Sequence, residues 1–322
     1  MACLMIVAMH APIPGTGLDG YVLSIDSLLT APGIGLFIMV SGALLLPVKM
    51  PTKIFLSRRL GKVVWPTIIW TFIYWVMAPC TYTVNRGNGF WSFFSIPFAS
   101  QFNGVLWFMY MLIGLYLLAP ILSAWLVKAS KPEVEFYLGL WIVTMCYPLI
   151  RGFIGVNESN TGILYYFGGY AGYFLLGYYL KQYVRKTPLW IVCLLFAIPL
   201  ATAVMMKIEN VAVDFYDFFW YLSVLIAMMS IGWFLLFQRY HSQFDNSGIH
   251  RAIVIVSNCC FGIYLSHILV MRGLLWHLQL MQELEGAIQI VVTTTLSFIG
   301  SFLLTWLISY LPGAAYIIGY KR

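Results

Sequence analysis

Long segments without charged residues recur along the whole chain and limit its possible folds more than any other feature. A helix that crosses the hydrocarbon core of a bilayer needs about 20 apolar residues, and these segments approach that length. None shows the alternation of a barrel strand. A backbone in lipid must satisfy its hydrogen bonds within a helix or a closed barrel. The sequence therefore predicts an all-α, polytopic bundle of transmembrane helices, with spans at about residues 33–47, 63–79, 105–127, 136–150, 163–180, 189–206, 218–237, 252–271 and 287–310.

Composition excludes a soluble domain. Hydrophobic residues make up 61% of the 322 residues, and charged residues make up only 9%. A soluble domain needs more polar side chains to cover its surface. The net charge of +7 has to be read loop by loop in such a chain, and it does not predict nucleic acid as a partner. The six cysteines lack zinc or disulfide spacing, so no metal site is predicted.

The chain begins with a shorter apolar segment, residues 1–10, which ends at His10 just before Pro12 and Pro14. Ten residues would cross only about half of the hydrocarbon core. Because an apolar stub in water would have nothing to bury it, we expect it to be the outer half of a truncated first helix. This gives about ten transmembrane helices. Nine helices with an outer N-terminus would place every loop identically and remain the alternative.

The basic residues predict the orientation of the bundle. Fourteen of the 18 Lys and Arg residues fall in loops on one side, and only Arg86, Arg151, Lys207 and Arg272 fall on the other. The positive-inside rule assigns the richer side to the cytoplasm and predicts a multi-pass protein with cytoplasmic N- and C-termini. The longest loops are too short for a further folded unit. We therefore expect one transmembrane domain over residues 1–322.

Few ionisable residues lie at membrane depth. No predicted span contains an Asp or Glu, although ion-coupled transporters usually place a carboxylate there. The main ionisable residues near or within the spans are His10 and His267. Histidine is suited to proton transfer near neutral pH, which makes His10 a candidate general base. The alternative is a histidine that only forms a hydrogen bond at a helix end.

Basic residues are concentrated in the segment KMPTKIFLSRRLGKVVWP, which holds five of them between Lys49 and Lys62. Such a cluster can anchor a helix to anionic lipid headgroups. It can also bind the phosphates of a cytoplasmic ligand, because arginine pairs with phosphate bidentately and lysine supplies a point charge. Composition alone leaves both interpretations open.

Six segments, taken in order, resemble acyltransferase family 3 over nearly the whole chain: CLMIVAMHAP, LFIMVSGALLLP, FLSRRLGKVVWPTIIWTFIYW, LWFMYMLIGLYLLAPIL, YFLLGYYL and FGIYLSHILV. Members of this family are membrane-bound acyltransferases that commonly O-acetylate bacterial surface glycans. The resemblance implies a transferase of polysaccharide modification in the bacterial inner membrane, surrounded by membrane lipids. It also implies acyl-CoA, most simply acetyl-CoA, as a cytoplasmic co-substrate, no bound cofactor, and a glycan acceptor.

The resemblance also implies roles for individual residues. His10 matches the essential histidine of the first helix, which would act as a base or carry the acyl group. The phosphates of the acyl donor would lie near Lys53, Arg58, Arg59 and Lys62. Possible residues of the pocket are Ser41, Trp107, Tyr110 and His267.

The chain departs from the family pattern at two places. The family has an arginine eleven residues before the histidine, and that position would precede Met1, which is why we expect a shortened first helix. The family often has Arg-x-x-Arg where this chain has Arg59 and Lys62, and lysine lacks the fork of arginine. The alternatives from other classes are a transporter or flippase of a lipid-linked glycan and a structural role in glycan export.

Overall fold

A computed structural model of the chain describes residues 1–14, 18–81, 94, 104–154, 162–209, 215–241 and 248–322. The predicted loop residue Arg86 lies outside them. Within these residues the secondary structure is helical and no β-strand occurs, which confirms the all-α prediction. The α-helices are α1 (Ala2–Met9), α2 (Gly20–Thr30), α3 (Pro32–Leu45), α4 (Thr52–Val76), α5 (Ala78–Thr81), α6 (Trp107–Leu126), α7 (Lys131–Met145), α8 (Tyr147–Ile154), α9 (Ala171–Tyr183), α10 (Leu189–Ile208), α11 (Phe215–Phe218), α12 (Val224–Tyr240), α13 (Gly248–Gly273), α14 (Gln279–Glu283), α15 (Gly286–Ile308) and α16 (Ala314–Ile318). Single turns of 3₁₀-helix lie at Gly104–Leu106, Tyr165–Phe167 and Leu275–His277.

Six helical stretches of the described residues are long and apolar enough to cross a membrane: Gly20–Leu45, Gly104–Leu126, Lys131–Arg151, Leu189–Ile208, His250–His277 and Gly286–Ile308. Each overlaps one of the predicted spans, but Gly20–Leu45 contains Asp26 and Lys131–Arg151 contains Glu133 and Glu135. The expectation that no span contains an Asp or Glu is therefore wrong. Val224–Tyr240 is a shorter apolar helix that overlaps a further predicted span. The chain is therefore a multi-pass membrane protein, and the predicted count of about ten helices stays a prediction.

The predicted span at residues 163–180 is only partly helical, because two glycines interrupt it. Gly168 is extended, and Gly169 has φ +82°, a left-handed conformation that favours glycine. The indole Nε1 of Trp141 donates to the Gly169 carbonyl at 2.8 Å and holds this conformation in place. The regular helix α9 therefore starts only at Ala171.

The described helices form two compact units. The first unit comprises Met1–Met5, Ser24–Val48 and Ala119–Ser247, and the second comprises Ile6–Leu23, Lys49–Leu118 and Gly248–Arg322. The predicted single domain over residues 1–322 stays a prediction.

Close helix contacts build the first unit. Helix α3 packs along α9, and a Cβ atom added at Gly42 or Gly177 would collide with the backbone carbonyl of Phe174 or Met39, respectively. Small residues allow backbones to approach in this way, as is common between transmembrane helices. Helix α12 joins this pair through Ser230, whose hydroxyl donates to the Pro32 carbonyl at 3.2 Å.

The second unit is built around the pair α13 and α15, where Gly262 lies against Thr305. Helix α4 packs against α16, and the indole of Trp70 donates to the Ile317 carbonyl at 2.9 Å. Further along α4, the Tyr74 hydroxyl donates to the Leu265 carbonyl of α13 at 2.6 Å. These contacts fix the part of α13 that carries His267.

Candidate active site

His10 directly follows α1, and its backbone N–H donates to the Val7 carbonyl at 3.2 Å. The helix ends here because Pro12 and Pro14 follow in the sequence and cannot continue its hydrogen bonding. The side chain is half-buried. His10 is thus held at a helix end, as predicted, with its ring directed at a neighbouring side chain of the second unit.

That neighbour is His267, the other histidine that the sequence singled out. The centroids of the two rings lie 5.4 Å apart, and the rings are tilted by 37°. His267 is only 1% exposed, and its Nδ1 lies 2.5 Å from the Tyr264 carbonyl one turn earlier in α13. The structure therefore brings the predicted catalytic histidine and a predicted pocket residue together.

Arg272 and Tyr74 also belong to this site, and the sequence analysis did not identify either. Arg272 lies in the last turn of α13, where its guanidinium is 4.9 Å from the ring centroid of Trp276. Its charge acts on His10, His267 and Tyr74. The Tyr74 hydroxyl also accepts a hydrogen bond from the Leu269 backbone N–H at 3.2 Å. Tyr74 thereby fixes the turn of α13 on both sides of His267.

Gln289 of α15 connects that helix to the residue after His10. It is fully buried, and its Nε2 donates to the Ala11 carbonyl at 3.1 Å and to the Thr293 hydroxyl at 2.9 Å. An amide within an apolar segment was the sequence signal that could have identified it.

Several buried polar atoms around the histidine pair have no hydrogen-bond partner among the described residues. They are Nε2 of His267, Nε of Arg272, Nε1 of Trp276 and Oε1 of Gln289. Leaving such an atom unpaired costs about 1 to 3 kcal/mol, so native proteins rarely do so without a reason. A group of these atoms beside two histidines marks a candidate site, because a polar ligand or ordered water would supply the partners. We refer to His10, His267, Arg272, Trp276, Gln289 and Tyr74 as the histidine site.

The predicted donor-binding residues Lys53, Arg58, Arg59 and Lys62 are all exposed and lie in the first turns of α4. Two of them, Arg58 and Arg59, lie on different faces of this helix, about 100° apart. Arg59 is four residues after the buried Phe55 and four before the buried Val63, so it continues the core-facing stripe. Its charge acts on Tyr116, whose ring contacts Phe55 at 6.5 Å between centroids.

Arg58 instead lies on the stripe of α4 that faces away from the unit. It is four residues after the exposed Ile54, and the same stripe continues through the exposed side chains of Trp65, Ile68 and Phe72. Apolar side chains exposed in this pattern on a membrane protein face lipid. Arg58 and Arg59 therefore extend from different faces of α4, and the two interpretations of the basic segment stay predictions.

The remaining predicted pocket residues differ in their surroundings. Tyr110 shares a hydroxyl–hydroxyl hydrogen bond of 2.6 Å with Thr71, one turn before Tyr74 on α4. Trp107 contacts Phe108, and Phe108 in turn contacts Tyr264 with 5.4 Å between ring centroids. Ser41 belongs to the first unit, where its hydroxyl donates to the Phe37 carbonyl at 3.0 Å.

The first unit contains an aromatic cavity of about 330 Å³, lined among others by Trp125, Tyr137, Trp141 and Phe167. Its lining consists of leucine, aromatic, glycine and alanine residues, none of which suits acid–base work near neutral pH. Among the described residues, no group of three His, Cys, Asp or Glu side chains could hold a metal ion. Unlike this cavity, the histidine site contains side chains suited to proton transfer near neutral pH.

Comparison with known proteins agrees with this chemistry. A family model described as an acyltransferase domain, that of acyltransferase family 3, matches residues 1–310. This range contains the whole histidine site and the basic end of α4. No curated protein and no solved structure matches the chain. The chain belongs to acyltransferase family 3, and it is a membrane acyltransferase.

Proposed function

We propose that this membrane acyltransferase moves an acyl group, most simply acetyl, from acyl-CoA to a hydroxyl of a cell-surface or lipid-linked glycan. The observation that supports this proposal best is the pairing of His10 with the buried His267, 5.4 Å apart, among buried polar atoms without partners. A neutral imidazole can accept the proton of a hydroxyl.

In the direct route, His10 takes the proton of the acceptor hydroxyl as its oxygen attacks the carbonyl carbon of the thioester. The C–S bond breaks, and the leaving CoA thiolate takes the proton from His10. In the second route, His10 itself attacks the thioester and carries the acyl group before the acceptor takes it. In both routes negative charge develops on the carbonyl oxygen, and the nearby cation Arg272 is placed to stabilise it.

The donor would reach His10 along α4, which links the two predicted parts of the site. Arg59 and Tyr74 are fifteen residues apart on this helix, which corresponds to about 22 Å at 1.5 Å per residue. This separation is on the scale of an extended pantetheine arm. With the phosphates near Arg59, Lys62 and Lys53, the thioester would lie beside the turn of α13 that Tyr74 holds.

The proposed orientation places the basic end of α4 at the cytoplasmic face of the bacterial inner membrane, where acyl-CoA is available. Both chain termini would be cytoplasmic, in agreement with the excess of Lys and Arg in the loops on that side. Membrane lipids would cover the exposed apolar stripe of α4 that carries Arg58.

The proposal is tested with purified protein in lipid nanodiscs and in cells. Wild-type protein with radiolabelled acetyl-CoA is expected to release CoA, and cells that express it are expected to acetylate a glycan detectable by mass spectrometry. His10→Ala should lower turnover about 10² to 10⁴-fold, the usual contribution of a general base. His10→Gln should be equally inactive, because glutamine forms hydrogen bonds but does not accept a proton at neutral pH.

The matched control is His277→Gln, since His277 is an exposed histidine of the same unit. It should leave CoA release unchanged. Near-normal acetylation by His10→Gln would show that His10 has only a structural role. Movement of a lipid-linked glycan across the membrane without any release of CoA would instead favour the transporter alternative.

A further inference from the structure

The protonation of the His267 ring follows from one contact. Its Nδ1 lies 2.5 Å from the Tyr264 carbonyl oxygen, and a carbonyl oxygen can only accept a hydrogen bond. The Nδ1 of His267 must therefore carry the hydrogen. In the neutral ring, Nε2 then holds a lone pair and can only accept.

The accepting nitrogen of His267 is buried and unpaired among the described residues. The ring around it is held firmly, because Tyr74 bonds to the backbone of Leu265 and Leu269 on either side of it. A second ring contact comes from Tyr264, with 5.7 Å between centroids. His267 thus presents a fixed hydrogen-bond acceptor inside the histidine site.

The side chain best placed to donate to this nitrogen is His10. The separation of 5.4 Å between ring centroids lets nitrogen atoms on facing edges approach to hydrogen-bond distance after a small rotation of the half-buried His10 ring. Among the described residues, no side chain or backbone group forms a hydrogen bond with the His10 ring, which is therefore available to donate. Arg272 and Trp276 carry the other unpaired polar atoms of the site that could donate, and they contact each other.

We propose that His267 is a positioning residue for His10. Its Nε2 accepts the one ring N–H of neutral His10, which leaves the other ring nitrogen of His10 unprotonated and directed at the acceptor hydroxyl. This inference rests on the proposed function of His10. In a catalytic triad an acidic residue fixes the tautomer of the base, and here a neutral imidazole held by a backbone carbonyl does so.

The steps balance without any further reactant. The acceptor O–H gives its proton to the free nitrogen of His10, and its oxygen forms a bond to the thioester carbon. The C–S bond breaks, and the same nitrogen of His10 returns the proton to the CoA thiolate. The hydrogen shared between His10 and Nε2 of His267 stays on His10 throughout.

Two substitutions of His267 separate the positioning role from a structural one. His267→Asn keeps an amide N–H close to the position of Nδ1 and can still donate to the Tyr264 carbonyl, but it has no acceptor at the position of Nε2. His267→Gln places an amide oxygen near the position of Nε2 and can still accept from His10. The measurements are kcat and KM for acetyl-CoA in nanodiscs, together with thermal unfolding.

His267→Asn should lower kcat about 10²-fold or more with an unchanged KM for acetyl-CoA, because a base in the wrong tautomer cannot accept the proton. His267→Gln should recover a measurable part of that loss. Wild-type kcat in His267→Asn would overturn the inference. So would equal loss in both variants at wild-type thermal stability.

A measurement on the wild-type protein serves if the variants fail to fold. In protein labelled with ¹⁵N-histidine, we expect one ring with its hydrogen on Nδ1 and a through-hydrogen-bond correlation between two histidine rings that disappears in His10→Gln. A His267 ring with its hydrogen on Nε2 would overturn the inference. If His10→Ala retains full transfer, the proposed function of the site fails. If His10→Ala loses transfer but His267→Asn retains it, only the inference about His267 fails.

Discussion

The two compact units differ in how many of their buried polar atoms have a hydrogen-bond partner among the described residues. In the first unit, Trp141, Tyr173 and Ser230 donate to backbone carbonyls at 2.7 to 3.2 Å, and the unpaired atoms among its described residues are the hydroxyls of Ser27 and Thr187. In the second unit, His267, Arg272, Trp276 and Gln289 each keep a buried polar atom without a partner among the described residues. Hydroxyls of α15 do the same at Thr294, Ser297, Ser301 and Thr305.

Buried polar groups with and without a hydrogen-bond partner have different roles. A polar group that is bonded to a neighbouring backbone joins helices and leaves nothing to interact with a substrate. A buried group without a partner lowers stability by about 1 to 3 kcal/mol, and such a cost is expected where a ligand supplies the partner. We therefore expect the reactive groups in the second unit, where the unpaired atoms lie beside two histidines.

The largest effect is expected from the tight glycines of the first unit. Gly177→Ala adds a Cβ that would collide with the Met39 carbonyl, and a backbone atom of a packed helix cannot move aside as a flexible side chain can. Overpacking of this kind costs about 1 to 3 kcal/mol or more. We expect little or no folded protein by size-exclusion chromatography.

The control in the same unit is Gly139→Ala, where no atom lies within 4 Å of the added Cβ. Alanine in the interior of α7 should stabilise the helix by up to about 1 kcal/mol. A wild-type yield of Gly177→Ala would mean that α3 and α9 do not pack as closely as described, and the first unit would not be a rigid scaffold.

The sequence predicted much of this architecture, and the reason is physical. Because lipid excludes charge, segments without charged residues predicted the all-α membrane class and the approximate helix positions. The sequence could not predict which helices pair, since protein-facing and lipid-facing sides of a transmembrane helix are both apolar. The break before α9 was missed because Gly168 and Gly169 lie inside an uninterrupted apolar segment.

The sequence predicted part of the candidate site, because charged or ionisable residues are rare within apolar segments. His10 and His267 were identified because they are ionisable residues in or beside apolar segments, although nothing in the sequence indicated that their rings would meet. Arg272 was assigned to an outer loop because it ended a charge-free segment, whereas the structure places it in the last turn of α13. Tyr74 and Gln289 carry no charge, so their places beside His267 and Ala11 depend on packing alone.

A smaller effect, on the KM for acetyl-CoA, is expected within the second unit, where Arg58 and Arg59 lie on different faces of α4. Arg59→Ala should raise the KM for acetyl-CoA about tenfold or more, because charge-assisted hydrogen bonds to a phosphate contribute roughly 1.5 to 3 kcal/mol and 1.4 kcal/mol corresponds to a factor of ten. Initial rates in nanodiscs over a range of acetyl-CoA concentrations measure this. The matched control is Arg58→Ala, because Arg58 lies on the lipid-facing stripe of α4.

Arg58→Ala should keep the wild-type KM and retain less anionic lipid when purified from mixed lipid, since a basic residue near such a surface contributes about 1 kcal/mol. An equal rise of KM in both variants would mean that the two faces of α4 do not divide donor binding from lipid anchoring. The chemistry of the second unit would then extend to its lipid-facing side.

The smallest expected effect tests the comparison of the two units most directly, with one fully buried serine from each. The one hydroxyl hydrogen of Ser230 in the first unit is shared between the Pro32 carbonyl at 3.2 Å and the Ile226 carbonyl at 2.9 Å, whereas Ser301 of the second unit has no hydrogen-bond partner among the described residues. Ser230→Ala should lower the free energy of unfolding by about 1 kcal/mol, the usual net value of a hydrogen bond. Ser301→Ala should be neutral or stabilising, because it removes a buried hydroxyl that forms no bond. Thermal unfolding of both variants in the same detergent measures the difference, and a destabilisation by Ser301→Ala as large as that by Ser230→Ala would show that the α15 hydroxyl is bonded after all. In that case the unpaired polar atoms of the second unit would no longer indicate where the reactive site lies.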